Sequence, residues 1–388
     1  MNWINEIKKR TVQVPVRSGK SEKSGRISFD DLVFVPVQLN KRPVDYYQEE
    51  IKTETVFGNF NISTPIIIGA MSFGALSKEA KIVLAKASSL AGIVANTGEG
   101  GMLEEERKFA DKLIIQYSTG RFGINDKVLE QADAIEIKIG QGAKPGSGGF
   151  LAKDKITPEI IQVRNVSGKE DVHSPAYHSD IKNKDDLKEK VNWLKQRNVP
   201  VIIKMAAGDI EKDLDIALYA GPDIISLDGM EGGTGAAPEV LLDEVGIPLI
   251  PALVRARQKI NQSNSKCQLW VGGNFSKGGD IAKALALGAD GVFMAFPFLI
   301  SMGCLYCRQC HLGRCPGGIA TQDQELRKNL DIDKAVVNIV NFVKNCSEEI
   351  KMISGSVGKN NVHDLSKDDL RALTSEMAEI AQVKAVWQ

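Results

Sequence analysis

Apolar residues in this chain gather in short, nearly unbroken runs, and between the runs they recur at helical spacing. The runs are rich in β-branched residues: "PIIIGA" (65–70), "GIVAN" (92–96), "AIEIKI" (134–139), "PVIIKM" (200–205), "DIISLD" (223–228), "PLIPAL" (248–253), "QLWVGG" (268–273) and "DGVFMAF" (290–296). Unbroken runs of this length fit parallel strands covered on both faces. The stretches between them, such as "SKEAKIVLAKASSLA" (77–91), "KDDLKEKVNWLKQR" (184–197) and "GDIAKALALGA" (279–289), place apolar residues every three or four positions, as amphipathic helices do. Eight such β/α units over about 230 residues predict an α/β fold, a (β/α)8 TIM barrel. An open doubly wound sheet is the alternative.

One connection is unusually long. About 60 residues separate the third run from the fourth, starting "GQGAKPGSGGFLAKDKITPEI" and passing through "HSPAYHSD". An excursion of this size at the C-terminal end of a barrel strand usually builds an active site. Residues 1–60 read as an N-terminal arm and 61–300 as the barrel. Residues 301–388 read as a cysteine-rich loop and then helices, including "DKAVVNIVNFVKNCSEEIKMI" (333–353).

Composition narrows the partners. The 388 residues are 43% hydrophobic and 25% charged, and 49 Lys+Arg balance 49 Asp+Glu. A net charge of zero offers nucleic acid and anionic lipid no general attraction. No apolar stretch has the length of a signal peptide or a membrane span. The chain is therefore expected in the cytoplasm, where clustered cysteines hold metal more often than disulfides.

The candidate chemistry lies at the strand ends. Gly272, Gly273, Gly278 and Gly279, in "VGGNFSKGGD", sit where barrels often bind phosphate on bare backbone N–H groups. Gly232 and Gly233, in "SLDGMEGGTGAAP", offer backbone to a flat ring. No Walker or Rossmann glycine pattern occurs, so FMN or a sugar phosphate is expected rather than a dinucleotide. Lys138 and Lys204 interrupt apolar runs, where an ammonium needs an anionic partner. Either would stabilise negative charge on a reduced flavin. Gln141 and Lys144 suit a small dicarboxylate, and Arg164 could clamp a carboxylate in bidentate fashion. His173 and His178 read as surface or capping residues.

Four of the six cysteines stand together in "GCLYCRQCHLGRCPGG" (303–318), spaced C-x2-C-x2-C-x4-C. This is close to a bacterial ferredoxin run and unlike the two distant halves of most zinc sites. Cys304, Cys307, Cys310 and Cys315 are therefore expected to hold an iron–sulfur cluster, with zinc or thiol chemistry as alternatives.

Together these segments resemble the FMN-binding synthase domain of glutamate synthases. The resemblance is carried by "GAMSFGALSKEA", "ANTGEGG", "STGRFGI", "IKIGQGAKPGSGG", "TPEIIQVR", "DGMEGGTGAAP" and "GCLYCRQCHLGRCPGGIATQDQELR", in that order from about residue 55 to 330. It implies a barrel with FMN at its mouth, a [3Fe-4S] cluster nearby, and reduction of 2-iminoglutarate to L-glutamate. By position, Met71, Ser72 and Gly74 would line the flavin, with Lys204 near its pyrimidine ring. Glu99, Gln141, Lys144 and Arg164 would contact 2-oxoglutarate, Glu99 and Lys204 being the expected catalytic pair. Cys304, Cys310 and Cys315 match the family's cluster ligands.

The sequence departs from the family at three points. Cys307 is an extra thiol, which would complete a [4Fe-4S] cube or point away. Ser179 replaces a second histidine in "SPAYHSD", and Met230-Glu231 replaces a His-Asp pair. The chain begins Met-Asn-Trp rather than with the cysteine nucleophile of a glutamine amidotransferase. Ammonia or an amine is then the expected co-substrate, taken directly or from a separate amidotransferase subunit. Electrons would come from ferredoxin or an NAD(P)H-oxidising subunit. The alternatives are an FMN subunit of an N-methylglutamate synthase-like or other 2-oxo or amino acid oxidoreductase, and a non-catalytic cluster- or zinc-binding scaffold. An α-hydroxy-acid oxidase would need a His–Arg pair on the late loops, and no histidine follows the fifth to seventh runs there.

Overall fold

In the computed structural model, which describes residues 3–12, 15–18, 27–234 and 237–388, eight short strands stand side by side, all parallel. They are β1 (Ile66–Ile68), β2 (Ala95–Asn96), β3 (Leu113–Tyr117), β4 (Ala134–Lys138), β5 (Val201–Ala206), β6 (Ile224–Asp228), β7 (Gln268–Gly272) and β8 (Gly291–Met294). Their order is β1-β8-β7-β6-β5-β4-β3-β2. The two ends meet where Ile68 N–H donates to Val94 O at 2.9 Å, closing the ring.

Alternation along each strand sorts side chains into two cores. Ile67, Ile114, Ile202, Ile224 and Trp270 point into the barrel and cluster with Phe57 of an N-terminal hairpin (55–62). Phe57 packs edge-on against Trp270 at 4.9 Å, plugging that end of the barrel. Their neighbours Ile66, Ile68, Ile115, Ile203, Ile225, Leu269 and Val271 join the outer core beneath the helices. Those helices include α1 (Lys78–Ala91), α2 (Pro158–Arg164), α3 (Lys184–Lys195), α4 (Ile210–Ala220), α5 (Leu249–Gln262), α6 (Gly278–Ala286), α7 (Phe296–Ser301) and α8 (Ile332–Ser356). The long α8 packs on α1, α6 and α7. Among the described residues no helix is long and apolar enough to cross a membrane.

Two strand expectations were wrong in compensating ways. "LIIQY" (113–117) is a barrel strand that the periodicity reading passed over, because Gln116 breaks its apolar run. "PLIPAL" (248–253) is not a strand but the first turn of α5. Pro251 falls in that first turn, where its missing N–H removes no helical hydrogen bond. In the expected N-terminal arm, residues 1, 2, 13, 14 and 19–26 lie outside those described. The rest includes a helix (Trp3–Val12), Arg17–Ser18 paired antiparallel with Ala237–Pro238, and Leu32–Phe34 paired with Leu370–Ala372.

The loops at the barrel mouth converge on one buried cation. Lys81 of α1 is fully buried, and its ammonium reaches the carbonyls of Met71 (2.6 Å), Asn96 (2.9 Å) and Thr97 (3.1 Å). It also pairs with Glu106 Oε1 at 2.7 Å. The loops after β1 and β2 are thereby tied together, and Gly98 lets them touch. Gly98 has φ +67°, and a Cβ there would lie 2.6 Å from Ser72 N.

Removing one partner of a buried pair strands the other charge, at a typical cost of about 3–5 kcal/mol. Lys81→Met should lower unfolding stability in denaturant titration by about that much. Lys81→Met combined with Glu106→Leu should recover only part of the loss, because the three carbonyls stay unserved.

Candidate functional site

The C-terminal ends of the strands open into a cavity of about 580 Å³. Loop by loop, it collects most of the residues singled out from the sequence. The loop after β1 contributes Met71, Ser72 and Gly74, and the loop after β2 contributes Glu99. Lys138 ends β4, with Gln141 and Lys144 just beyond it, and Arg164 ends α2. Lys204 comes from β5, Gly232 and Gly233 follow β6, and Gly272 and Gly273 lie at the end of β7. Cys304, Cys310 and Cys315 line the wall beyond α7.

Three of the sequence candidates do not line this cavity. Cys307 is exposed outside it. Gly278 and Gly279 open α6, where the Gly278 N–H donates to Glu349 Oε2 of α8 at 2.6 Å. A carboxylate of the chain itself thus occupies the place expected for a phosphate. Of the two departures from the family pattern, Met230 and Glu231 line the cavity, whereas Ser179 is exposed elsewhere. Glu231 Oε2 accepts from Leu249 N–H at 2.9 Å at the start of α5, and burial raises its pKa.

Glu99 is the electrostatic centre of one wall. Lys138 Nζ lies 2.8 Å from its Oε2, and the Ser174 hydroxyl donates to the same oxygen at 3.2 Å. Burial alone would raise the Glu99 pKa, but the positive charges of Lys138, Lys144 and Arg164 outweigh it and hold the carboxyl at about 2. Burial pulls the Lys144 ammonium down to about 8, against the attraction of Glu99. Arg164 is lowered by burial to about 10 and stays charged. Its Nη2 donates to Phe73 O at 2.5 Å, while its buried Nε has no partner within the protein.

A second cation stands on the barrel axis side. Lys204 is 5% exposed, with Asp228 Oδ2 at 3.6 Å and the Phe293 ring centroid at 4.5 Å. Burial would depress its pKa, but Asp228 and Glu136 outweigh that and raise it, so Lys204 carries its charge at neutral pH. The Gly142 N–H donates to Asp228 Oδ2 at 3.2 Å. Here only glycine fits, because a Cβ on Gly142 would stand 1.9 Å from Gly229 O.

Sequence reading missed the supporting residues. Glu136 accepts from Gln116 Nε2 at 2.6 Å and from Asn96 Nδ2 at 3.2 Å. The signal was present: a polar residue inside an apolar strand run needs a buried partner. Gln322, beyond the cysteines, donates to Leu76 O at 2.9 Å, while its buried Oε1 has no protein partner. His311 Nδ1 is likewise buried without one. Arg164, Gln322 and His311 all line the cavity.

The expected iron–sulfur loop is corrected here, both as a feature of the fold and as a cofactor site. Among the described residues no group of three or more His, Cys, Asp or Glu side chains is arranged to hold a metal ion. Tyr306 and Arg308, with φ of 54° and 57°, flank Cys307 and leave it exposed. Cys310 begins a single 3-10 turn (Cys310–Leu312), and burial, followed by its neighbours Cys304, Cys315 and Cys307, pushes its thiol up to about 11. The expectation that Cys304, Cys307, Cys310 and Cys315 jointly hold a three- or four-iron cluster is not met.

Comparison with known proteins agrees with this architecture. Among solved structures, an active mutant of (S)-mandelate dehydrogenase superposes with a TM-score of 0.61, covering 92% of this chain and 93% of that one. At 18% identity this shows a shared fold. A glutamate synthase large subunit-like protein of Rhizobium meliloti is 37% identical over 382 residues, spanning 92% of this chain and 86% of that protein. An archaeal glutamate synthase (NADPH) of Archaeoglobus fulgidus is 41% identical over 340 residues, 86% of this chain but 66% of its own length. The family described as the conserved region in glutamate synthase matches residues 2–360. The chain belongs to the glutamate synthase family.

Proposed function

We propose that this chain is an FMN-dependent oxidoreductase domain of glutamate synthase type, which reduces the imine of 2-oxoglutarate and ammonia to L-glutamate. One arrangement carries the reading: Lys204 and the Glu99–Lys138–Lys144–Arg164 group face a single cavity at the strand ends. Its volume is in the usual range for a small-molecule site. The fit to FMN rests on the donor set. Bare backbone at Gly272 and Gly273 suits a phosphate, and the unpartnered Arg164 Nε, Gln322 Oε1 and His311 Nδ1 are poised for a ligand. Met71, Ser72, Gly74, Lys138, Gly232, Gly233, Gly272 and Gly273 would hold the cofactor. FMN, when bound, supplies the electron pair as a hydride.

The protein side of the reaction follows from charge. Condensation of 2-oxoglutarate with ammonia releases water. Addition of one hydride at carbon and one proton at nitrogen then completes glutamate. Gln141, Lys144 and Arg164 bind and orient the two carboxylates. Lys204 would favour negative charge on a bound flavin ring. Glu99, with a pKa of about 2, is an anion at neutral pH. It therefore attracts a cationic iminium and cannot itself donate the proton. Lys144, titrating at about 8, is a cavity group able to exchange one. The NADPH in the archaeal relatives' names makes an NADPH-oxidising partner the first electron donor to test, with ferredoxin second.

Purified protein should retain FMN with its visible absorbance and, under a chemical reductant, form glutamate from 2-oxoglutarate and ammonium. A protein that retains no flavin and shows no turnover would overturn the reading. Methylamine in place of ammonium tests the amine.

Lys144 also sets a pH dependence. Its ammonium is fully formed well below pH about 8 and lost above it, so kcat/KM for 2-oxoglutarate should fall as pH rises through about 8. Lys144→Met should raise KM roughly 10- to 100-fold, the value of one charged hydrogen bond, and abolish that alkaline limb. Lys204→Met should keep the flavin but lower kcat about 10²- to 10³-fold in steady-state assays.

A further inference from the structure

Apart from Ser174, the segment "SPAYHSD" (174–180) and the loop "STGRFGI" (118–124) took no part in the chemistry above, yet they meet in the fold. His178, expected at the surface, is 3% exposed. Its ring stacks on Tyr117 of β3, with centroids 6.0 Å apart and planes 8° apart. Arg121 covers the same tyrosine, its guanidinium carbon 3.7 Å from the ring centroid.

Both nitrogens of His178 are engaged. Arg121 Nη1 lies 2.6 Å from Nδ1, and the backbone carbonyl of Lys138 lies 2.9 Å from Nε2. A guanidinium has only donors and a carbonyl only accepts. Nδ1 must therefore accept and Nε2 must carry the proton, so the two neighbours select one neutral tautomer. The charged groups around the ring agree. Arg121 and Lys190 both pair with Asp180, at 2.6 and 2.7 Å, and the Lys190 ammonium lies 5.5 Å from the Tyr117 ring centroid. Burial and then Arg121 depress the His178 pKa to about 4, so the ring is neutral at working pH.

The latch bears on Glu99 through two routes. The carbonyl it grips belongs to Lys138, whose side chain lies on Glu99, and Ser174 on the same segment as His178 donates to that carboxylate. We infer that His178, as its neutral Nε2–H tautomer, is a positioning residue. It locks the 172–180 segment to the end of β4 and so holds Lys138 and Ser174 against Glu99. The inference rests on the reading that Glu99 serves the ligand of the cavity.

The chain has four histidines, so ¹⁵N-histidine labelling yields few signals, and the one missing from His178→Gln is assigned directly. The expected signal is a neutral Nε2–H imidazole from about pH 5 to about pH 9. An Nδ1–H tautomer, or an imidazolium at neutral pH, would overturn the inference. His178→Phe keeps the stack but removes both hydrogen bonds. It should lower kcat/KM for 2-oxoglutarate about 10- to 100-fold with flavin content unchanged. His178→Gln, whose amide can accept from Arg121 and donate to Lys138, should return activity to within about threefold of the original. A glutamine variant no better than the phenylalanine one would sink the idea, as would a phenylalanine variant with full activity. If His178→Phe does not fold, the tautomer and the glutamine variant still decide. The tautomer is read without substrate, so an inactive parent protein would count against the proposed function and not against the latch.

Discussion

Lys81 carries its charge with no access to water, and the mouth of the barrel depends on how that charge is met. Stripping water from an ammonium costs several kcal/mol, which only well-placed acceptors return. Here they are three carbonyls at the ends of β1 and β2 and the Glu106 carboxylate. Because the acceptors come from three separate segments, Met71, Asn96–Thr97 and Glu106, the geometry that satisfies the lysine also fixes how the loops after β1 and β2 meet. Ser72 and Glu99, on the two tied loops, take their places from it.

The cavity repeats this logic at its wall. Cations outnumber carboxylates around Glu99, so the group is tuned to hold an anion, while Glu99 remains ionised. Lys204 is paired separately with Asp228, at a longer distance that leaves part of its charge uncompensated. Two lysine-bearing groups, one around Glu99 and one at Lys204, thus face a single cavity.

The excursion between β4 and β5 supplies the part of the site that a bare barrel lacks. It brings Lys144, Arg164 and Ser174 over strand ends that already hold Lys138 and Lys204. Its small core of Leu151, Ile160 and Val172 packs on Phe73, so it is anchored to the loop after β1. The His178–Arg121 contact anchors its far end. Held at both ends, the excursion is a wall of the site.

The sequence alone determined the barrel architecture and singled out many of the polar and glycine residues that line the cavity. Strand runs, helical spacing and the order of glycine-rich turns are local properties, and residues at the C-terminal ends of parallel strands must share one face. Lys138 and Lys204 are legible in that way, whereas Glu99 comes from the family resemblance and Arg164 from the helix of the long excursion. That reasoning failed where the outcome rested on contacts between distant segments. "LIIQY" became a strand because Gln116 found Glu136 across the sheet, and "PLIPAL" a helix because its prolines fell at a helix start. His178 was drawn inside by Arg121 and by a carbonyl 40 residues away. The cysteines were adjacent in sequence, yet spacing does not determine where each thiol points. Backbone turns at Tyr306 and Arg308 left Cys307 exposed, and among the described residues no group of three or more potential ligands is arranged to hold a metal. Local pattern determines which elements form; only tertiary structure decides which charges and thiols meet, because burial and pairing are set by residues far apart in the chain.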